Sequence, residues 1–403
     1  MKYIFIIPDG LGDLPIEEFD GKTPVEIART PNMDRLASEG KCGVAKNIPR
    51  SMPCGSDVAC LSLLGYNPAK YYSGRGPLEA ASKNIILKED EIAFRCNLVT
   101  IFDGKMVDYS GGHISNKESS VLINMVREAF RDNLDIQFYS GVSYRNLAII
   151  KEELISHGRG KLRTIPPHDI LDEDIEPYLP SGKGSGFLKD LIKQVTEVIK
   201  DSEINKIKVD LGENPANSIW LWGEGKSPIM PQFQSLYGLK GAVISGVDLI
   251  KGMSVYAGLN VIEVPGITGY LDTDYAAKGR YAVNALDEFD IIYIHIEAPD
   301  EAGHNGNRME KVQCIEQIDE KIVGPVAKAI KERGEGRILI SPDHPTPVIK
   351  RTHTRDAVPF LVWGTGVSPD KVETFSEKSC ATGKLGTVKG HDLIKKILLK
   401  EFD

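Results

Sequence analysis

Three apolar runs along the chain each lead to a carboxylate that follows proline. Ile4-Phe5-Ile6-Ile7 runs into Pro8-Asp9, and Ile291-Ile292-Tyr293-Ile294-His295-Ile296 into Glu297-Ala298-Pro299-Asp300. Ile338-Leu339-Ile340 runs into Ser341-Pro342-Asp343. A short unbroken apolar run bounded by turn residues is the pattern of a strand buried on both faces, as in a mostly parallel sheet covered by helices. One Pro-Asp pair is an ordinary turn. Three of them, each with chemically useful neighbours, imply a site, because ligands of an open α/β sheet gather beyond the carboxyl ends of its strands. Asp9, Asp300 and Asp343 are therefore expected on one rim.

The rest of the chain continues the alternation. Val243-Ile244-Ser245-Gly246, Ile219-Trp220-Leu221-Trp222-Gly223 and Pro359-Phe360-Leu361-Val362-Trp363-Gly364 read as further strands, and 187–200 and 309–333 as helices. Thr30-Pro31 reads as a helix start, with Thr30 as cap and Pro31 in the first turn. From about 85 to 215 charge and turn signals rise, as in Thr164-Ile165-Pro166-Pro167-His168-Asp169. The expected architecture is an α/β core from 1–84 and 216–403, its mostly parallel sheet flanked by helices, with a smaller α+β domain inserted at 85–215.

Composition narrows the function classes. A length of 403 residues suits roughly two to three domains of about 150. With 41% hydrophobic and 26% charged residues the chain reads as globular. A net charge of −8 disfavours general nucleic-acid binding, so an anionic substrate needs local positive charge. No apolar run approaches the roughly 18–20 residues that span a bilayer, and the opening Met1–Ile7 stretch is too short for a signal peptide. The six cysteines contain no C-x-x-C pair. They are expected as reduced thiols of a cytoplasmic protein without nucleic-acid or membrane partners.

Chemistry-bearing residues concentrate at the same strand ends. Asp300 and His304, four apart, face one side of a helical turn and can share a metal. Asp343-His344 is followed nine residues later by His353, and Asp9 stands alone after the first strand. These groups suffice for two divalent ions, though spacing does not divide them between two sites. Gly55-Ser56 precedes an apolar helical stretch, so Ser56 is either a helix cap or a nucleophile at a helix N-terminus that favours an anion. Cys54 is a rival nucleophile with no nearby base.

Taken together, several stretches resemble the alkaline phosphatase superfamily and, within it, the archaeal-type cofactor-independent phosphoglycerate mutases. They are Ile6-Ile7-Pro8-Asp9-Gly10, Thr30-Pro31-Asn32-Met33-Asp34, Gly55-Ser56-Asp57-Val58-Ala59, Gly74-Arg75-Gly76-Pro77-Leu78-Glu79-Ala80, Gly111-Gly112-His113-Ile114-Ser115, Pro167-His168-Asp169 and Glu263-Val264-Pro265-Gly266. Ile296–His304, Ser341-Pro342-Asp343-His344 and Arg351-Thr352-His353 complete the set, which spans nearly the whole chain. Cys54 departs from the proline expected before Gly-Ser.

The resemblance implies an alkaline-phosphatase-like core and a division of labour. Asp300, His304 and His353 would hold one metal; Asp9, Asp343, His344 and Ser56 the other; Ser56 would become phosphoserine. The ligand types suit Mn²⁺, Zn²⁺ or Mg²⁺, and no 2,3-bisphosphoglycerate is required. The implied reaction interconverts 3-phosphoglycerate and 2-phosphoglycerate, with the inserted domain shielding the intermediate from water. Arg75, His113, Arg145 and Lys278 are candidates to hold the small phosphorylated substrate; His157, His168, His295 and His391 are read as structural. The alternatives are a homoserine kinase-like phosphotransferase of the same family and a metal-dependent phosphatase. A sulfatase is disfavoured because Cys54-Gly55-Ser56 does not match its Cys-x-Pro-x-Arg pattern. The sequence carries no signal for an oligomeric state.

Overall fold

Strand β1 (Lys2–Pro8) is the first of a series that the structure, a computed structural model, describes over residues 1–398. It is followed by β2 (Lys41–Lys46), β3 (Glu91–Phe102), β4 (Lys105–Asp108), β5 (Ile136–Val142), β6 (Arg145–Lys151) and β7 (Ser218–Gly225). Then come β8 (Gly241–Ile244), β9 (Asn260–Val261), β10 (Ile291–Ile296), β11 (Gly336–Ile340), β12 (Val358–Gly364) and β13 (Thr387–Lys389). They divide between two compact units, one from Met1–Tyr72 and Ile229 onward, the other Ser73–Pro228.

The first unit holds a sheet in the order β13-β2-β12-β11-β1-β10-β8-β9. The segment β11-β1-β10-β8-β9 is parallel throughout, whereas β12 runs antiparallel to both β11 and β2. The apolar runs occupy its centre: Ile4, Ile6, Ile292, Ile294, Ile338 and Ile340 are fully buried in one core with Ile315, Ile318 and Val326 from covering helices. Because β1 pairs with β10 on one side and β11 on the other, three carboxyl ends lie side by side. The 309–333 helix appears as Arg308–Ile318, a π-helical turn Asp319–Val323, and Gly324–Arg333. That turn carries Asp319, whose carboxylate accepts from the amides of Asn32 (3.1 Å) and Met33 (2.7 Å). It does the capping expected of Thr30, whose side chain makes no cap bond.

In the second unit β4-β3-β6-β5 form an antiparallel sheet, with β7 added to β3. Helices Asn116–Ala129 and Ser185–Ile199 contribute Leu122, Ile123, Leu188 and Val195 to its core with Phe94, Cys96 and Leu98. The boundaries therefore differ from the 85–215 insert expected from composition. β7, placed in the catalytic core by that reading, hydrogen-bonds along β3, and the helix Arg75–Ser82 belongs to this unit too.

Lys311 and Asp13 join the loops that follow β1 and β11. Both side chains are fully buried and 2.8 Å apart. The Lys311 ammonium also donates to the carbonyls of Gly12 (3.1 Å) and Thr346 (2.8 Å), and Asp13 accepts from the Val348 amide at 3.2 Å. Removing one member of a buried pair strands the other charge, at a cost of roughly 3–5 kcal/mol. Lys311→Met is expected to lose stability of about that size in urea unfolding; a loss below about 1 kcal/mol contradicts this role.

Candidate functional site

Asp9 leaves the end of β1 with its amide bonded to the Ile296 carbonyl at 2.9 Å. Gly10 follows at φ +62, a left-handed conformation that favours glycine. A Cβ there would lie 2.5 Å from Asp300 Oδ1, so glycine also lets the chain pass against the next carboxylate. The Gly10 amide donates to Asp343 Oδ1 at 3.0 Å. Beyond β11, Asn47 fixes the loop by donating to the carbonyls of Pro342 (3.0 Å) and Asp343 (2.6 Å).

Asp300 and His304 lie one turn apart on the helix Ala298–His304, which Pro299 starts. His304 Nε2 is 3.2 Å from Asp300 Oδ2 and 2.9 Å from His353 Nε2. On its other side, His304 Nδ1 lies 3.0 Å from the Arg351 carbonyl, which fixes the ring. The donor atoms of Asp300, His304 and His353 all fall within 4.8 Å of one another, as do those of Asp9, Asp300 and His344. The structure thus brings all the sequence-derived ligand candidates into one neighbourhood: Asp343 Oδ2 is 3.2 Å from His344 Nε2, and Ser56 Oγ is 3.1 Å from the same nitrogen.

Ser56 begins the helix Ser56–Leu63, with Gly55 at the cap position and no side-chain cap bond. The capping alternative is therefore not realised, and the hydroxyl is directed to His344. Burial pushes the Cys54 thiol up, away from the thiolate a nucleophile needs. One turn deeper, Cys60 Sγ lies 3.6 Å from Asp343 Oδ2; burial first, then the Asp343 and Asp9 charges, raise this thiol strongly.

Several buried carboxylates crowd this site. Burial, then repulsion from Asp343, Glu297 and Asp300, raises Asp9 well above the carboxylate range. Burial and Asp300 push Glu297 up to about 8. Asp9 Oδ1 and Glu297 Oε2 are buried with no hydrogen-bond partner among the described residues. Burial opposes ionisation of Asp300 too, but hydrogen bonds from His304 and His353 outweigh it and hold Asp300 well below its usual range. Orphaned carboxylate oxygens beside converging imidazoles fit divalent cations bound by oxygen and nitrogen.

Two flanking residues escaped the sequence reading. His295, taken as structural, places Nε2 2.8 Å from Asp9 Oδ2 and Nδ1 3.1 Å from Ser245 Oγ. Burial, with help from Lys278, holds its imidazole down to about 3. Glu297 stands just past β10, with Oε2 3.6 Å from His295 Nε2. A histidine inside an otherwise apolar buried strand was the available signal. Lys278, expected at the substrate, is fully buried on the helix Tyr275–Ala285 and donates to the His295 carbonyl at 2.9 Å. Burial brings its ammonium down to about 8 against the opposing pull of Glu297.

The second unit carries a cationic cluster of its own. Glu79 Oε1 is 3.1 Å from Arg75 Nε and 2.9 Å from Arg95 Nη1, and Arg145 is close enough to act on it electrostatically. Both Arg75 and Arg95 lie over the Trp222 ring, at 5.7 and 4.7 Å from its centroid. Burial opposes the charge on Glu79, but Arg95, Arg75 and Arg145 together hold its carboxyl low. Three guanidiniums around one carboxylate leave positive charge for an anion. The Nε atoms of Arg95 and Arg145 are buried without a hydrogen-bond partner among the described residues. His113 lies exposed in a loop at φ +49, its amide donating to Ser110 Oγ at 3.1 Å. His168 sits edge-on to Trp222 and Tyr109, at 5.3 and 6.1 Å. Arg95 and Trp222 also escaped the sequence reading: Arg95 lies in the 85–215 stretch, where no particular strand is expected, and Trp222 in a run that reads only as a strand.

A family model described as 2,3-bisphosphoglycerate-independent phosphoglycerate mutase matches residues 37–205. The protein of that name from Methanosarcina acetivorans is 49% identical over 396 residues, 98% of this chain and 98% of its own length. Its namesake from Methanothrix thermoacetophila is 46% identical over 99% of this chain and 100% of its own. Among solved structures, a Pyrococcus horikoshii protein aligns with TM-score 0.83 and 29% identity, covering 100% of this chain and 99% of the other. A cofactor-independent phosphoglycerate mutase from Thermoplasma acidophilum aligns with TM-score 0.66 and 27% identity over 99% of both chains.

A pocket of this charge is expected to gain stability from cations. Adding Mn²⁺ or Zn²⁺ to chelator-treated protein at about 100 times the dissociation constant should stabilise it by roughly 2.7 kcal/mol per site, read as a rise in Tm by calorimetry. The increment should shrink as pH falls, because protons compete for the same imidazole and carboxylate atoms. Asp300→Ala should lose most of it; a wild-type Tm indifferent to metal contradicts the cation site.

Proposed function

The chain belongs to the 2,3-bisphosphoglycerate-independent phosphoglycerate mutase family, and from that premise we propose that it interconverts 3-phosphoglycerate and 2-phosphoglycerate through a phosphoserine on Ser56. The observation that carries this reading is the Ser56 hydroxyl, free of any capping role and 3.1 Å from His344 Nε2 among the clustered ligands. Asp300, His304 and His353 would hold one divalent cation, and Asp9, Asp343, His344 and Ser56 a second. Such cations supply charge that polarises phosphoryl oxygens and lowers the pKa of a bound hydroxyl. The native metal is taken from the Mn²⁺, Zn²⁺ and Mg²⁺ group.

The reaction follows from what the side chains do. Ser56 Oγ attacks phosphorus as the bond from phosphorus to the substrate 3-oxygen breaks. The proton lost by the serine balances the one taken up by the departing glycerate oxygen. Glycerate stays bound and reorients. Its 2-hydroxyl then attacks the phosphoserine, gives up its proton, and returns the serine to its hydroxyl form. Positioning and charge neutralisation dominate such a transfer. Arg75 and Arg145 are proposed to take carboxylate or phosphate oxygens, supported by the surplus of guanidinium over carboxylate in their cluster. His113 completes the proposed substrate contacts, whereas Lys278, fully buried and donating to the His295 carbonyl, stands behind the ligand cluster and not at the substrate. The enzyme is proposed to work in the cytoplasm; no helix among the described residues is long and apolar enough to cross a membrane.

³¹P NMR with 3-phosphoglycerate and Mn²⁺, without bisphosphoglycerate, is expected to show 2-phosphoglycerate growing to equilibrium and no product with Ser56→Ala. Inorganic phosphate as the sole product points to a phosphatase, and phosphorylation of homoserine from ATP to the kinase alternative. Arg145→Ala should raise KM by roughly ten- to a hundredfold, corresponding to one charge-assisted hydrogen bond of about 1.5–3 kcal/mol. An unchanged KM removes Arg145 from the substrate site.

A further inference from the structure

Thr346 lies fully buried in the loop after β11, two residues beyond His344. Its backbone is held on three sides. The amide donates to the carbonyls of Gly10 (3.3 Å) and Gly12 (3.1 Å), and the carbonyl accepts from Lys311 Nζ at 2.8 Å. Gly303 of the helix Ala298–His304 comes so close that a Cβ on it would stand 2.4 Å from the Thr346 carbonyl and 2.9 Å from its methyl. The side chain is consequently locked between Asp300 and His344, which the proposed division of ligands assigns to different cations. Its hydroxyl donates to Asp300 Oδ1 and lies 3.3 Å from His344 Nδ1.

The direction of these bonds follows from donor inventory. An ionised carboxylate only accepts, so the Thr346 proton belongs to the bond with Asp300. The hydroxyl oxygen then has lone pairs for the Nδ1–H of His344. That assignment leaves the His344 Nε2 lone pair on the side of Ser56 and Asp343, where a cation ligand needs it. One hydroxyl therefore orients an oxygen ligand of the first group and sets the tautomer of a nitrogen ligand of the second.

We infer that Thr346 is a positioning residue that couples the two metal sites: its hydroxyl presents Asp300 to one cation and His344 to the other. This rests on the division of ligands under the proposed function. Partners that orient metal ligands contribute on the order of 10–100-fold in affinity when removed. Because Thr346 touches both groups, its loss should weaken both sites, and should lower any cooperativity between them.

The test is metal titration of chelator-treated protein by calorimetry, with bound Mn²⁺ counted independently by elemental analysis. Thr346→Val keeps shape and deletes the hydroxyl, whereas Thr346→Ser keeps the hydroxyl and deletes the methyl. Wild type is expected to bind two equivalents. The valine variant should bind both more weakly, by roughly 10–100-fold, with its fold intact by circular dichroism. The serine variant should stay within a few-fold of wild type. Unchanged affinities in the valine variant, weakening at one site alone, or equal weakening in the serine variant would each overturn the inference. If wild type binds fewer than two equivalents, it is the two-metal reading that fails, and the coupling with it.

Discussion

Repulsion among buried carboxylates is the constraint on which the rest of the first unit depends. Asp9 and Asp300 bring oxygens within 4.8 Å of each other at the carboxyl edge of a sheet that excludes water. With both ionised, such a pair repels by roughly 3–4 kcal/mol at an effective dielectric constant of about 20, more than the approximately 1 kcal/mol of an ordinary hydrogen bond, and the raised Asp9 carboxyl reflects this cost together with burial. Asp343 and Glu297 add to the same field. The Lys278 ammonium and the His304 imidazole offset part of it, but the orphaned oxygens of Asp9 and Glu297 remain. Divalent cations remove the imbalance and at the same time supply what phosphoryl transfer requires.

Holding such charges together takes a scaffold that does not relax. The central parallel strands place three loop starts next to one another, and a second layer of contacts fixes the loops. Lys311 and Asp13 tie the segment after β1 to that after β11. Glu377 extends the tie by accepting from the Asp13 amide at 3.1 Å and from the Thr23 hydroxyl at 2.8 Å. Asn47 fixes the backbone at Asp343, and Ser245 orients His295 behind Asp9. These residues touch no substrate in the proposed reaction, yet each limits how far a ligand can move.

Much of this was legible in the sequence, for local reasons. Buried parallel strands announce themselves as short apolar runs, and Asp9, Asp300 and Asp343 stand at their ends, so their common rim followed from topology rules. Asp300 and His304 share a helical face by spacing alone. What stayed hidden depends on partners far along the chain. β7 looks like any apolar strand, and its placement in the second unit is decided by its pairing with β3 more than a hundred residues earlier. Thr30 has the right local pattern for a cap, but Asp319 takes the role because its carboxylate arrives from a distant helix. Thr346 and Arg95 carry no local mark at all, and the only mark of His295 is a polar residue in an apolar strand; their roles appear only when distant segments meet.

The proposed role of Ser56, placed among these ligands, is to carry the phosphoryl group between the two substrate oxygens. It is tested most directly by acid-quenching the metal-loaded enzyme during turnover of 3-phosphoglycerate and mapping phosphate by peptide mass spectrometry. One phosphoryl group is expected on the peptide containing Ser56, formed and discharged no slower than 2-phosphoglycerate appears. Product formation with no phosphate on that serine at any time would contradict it.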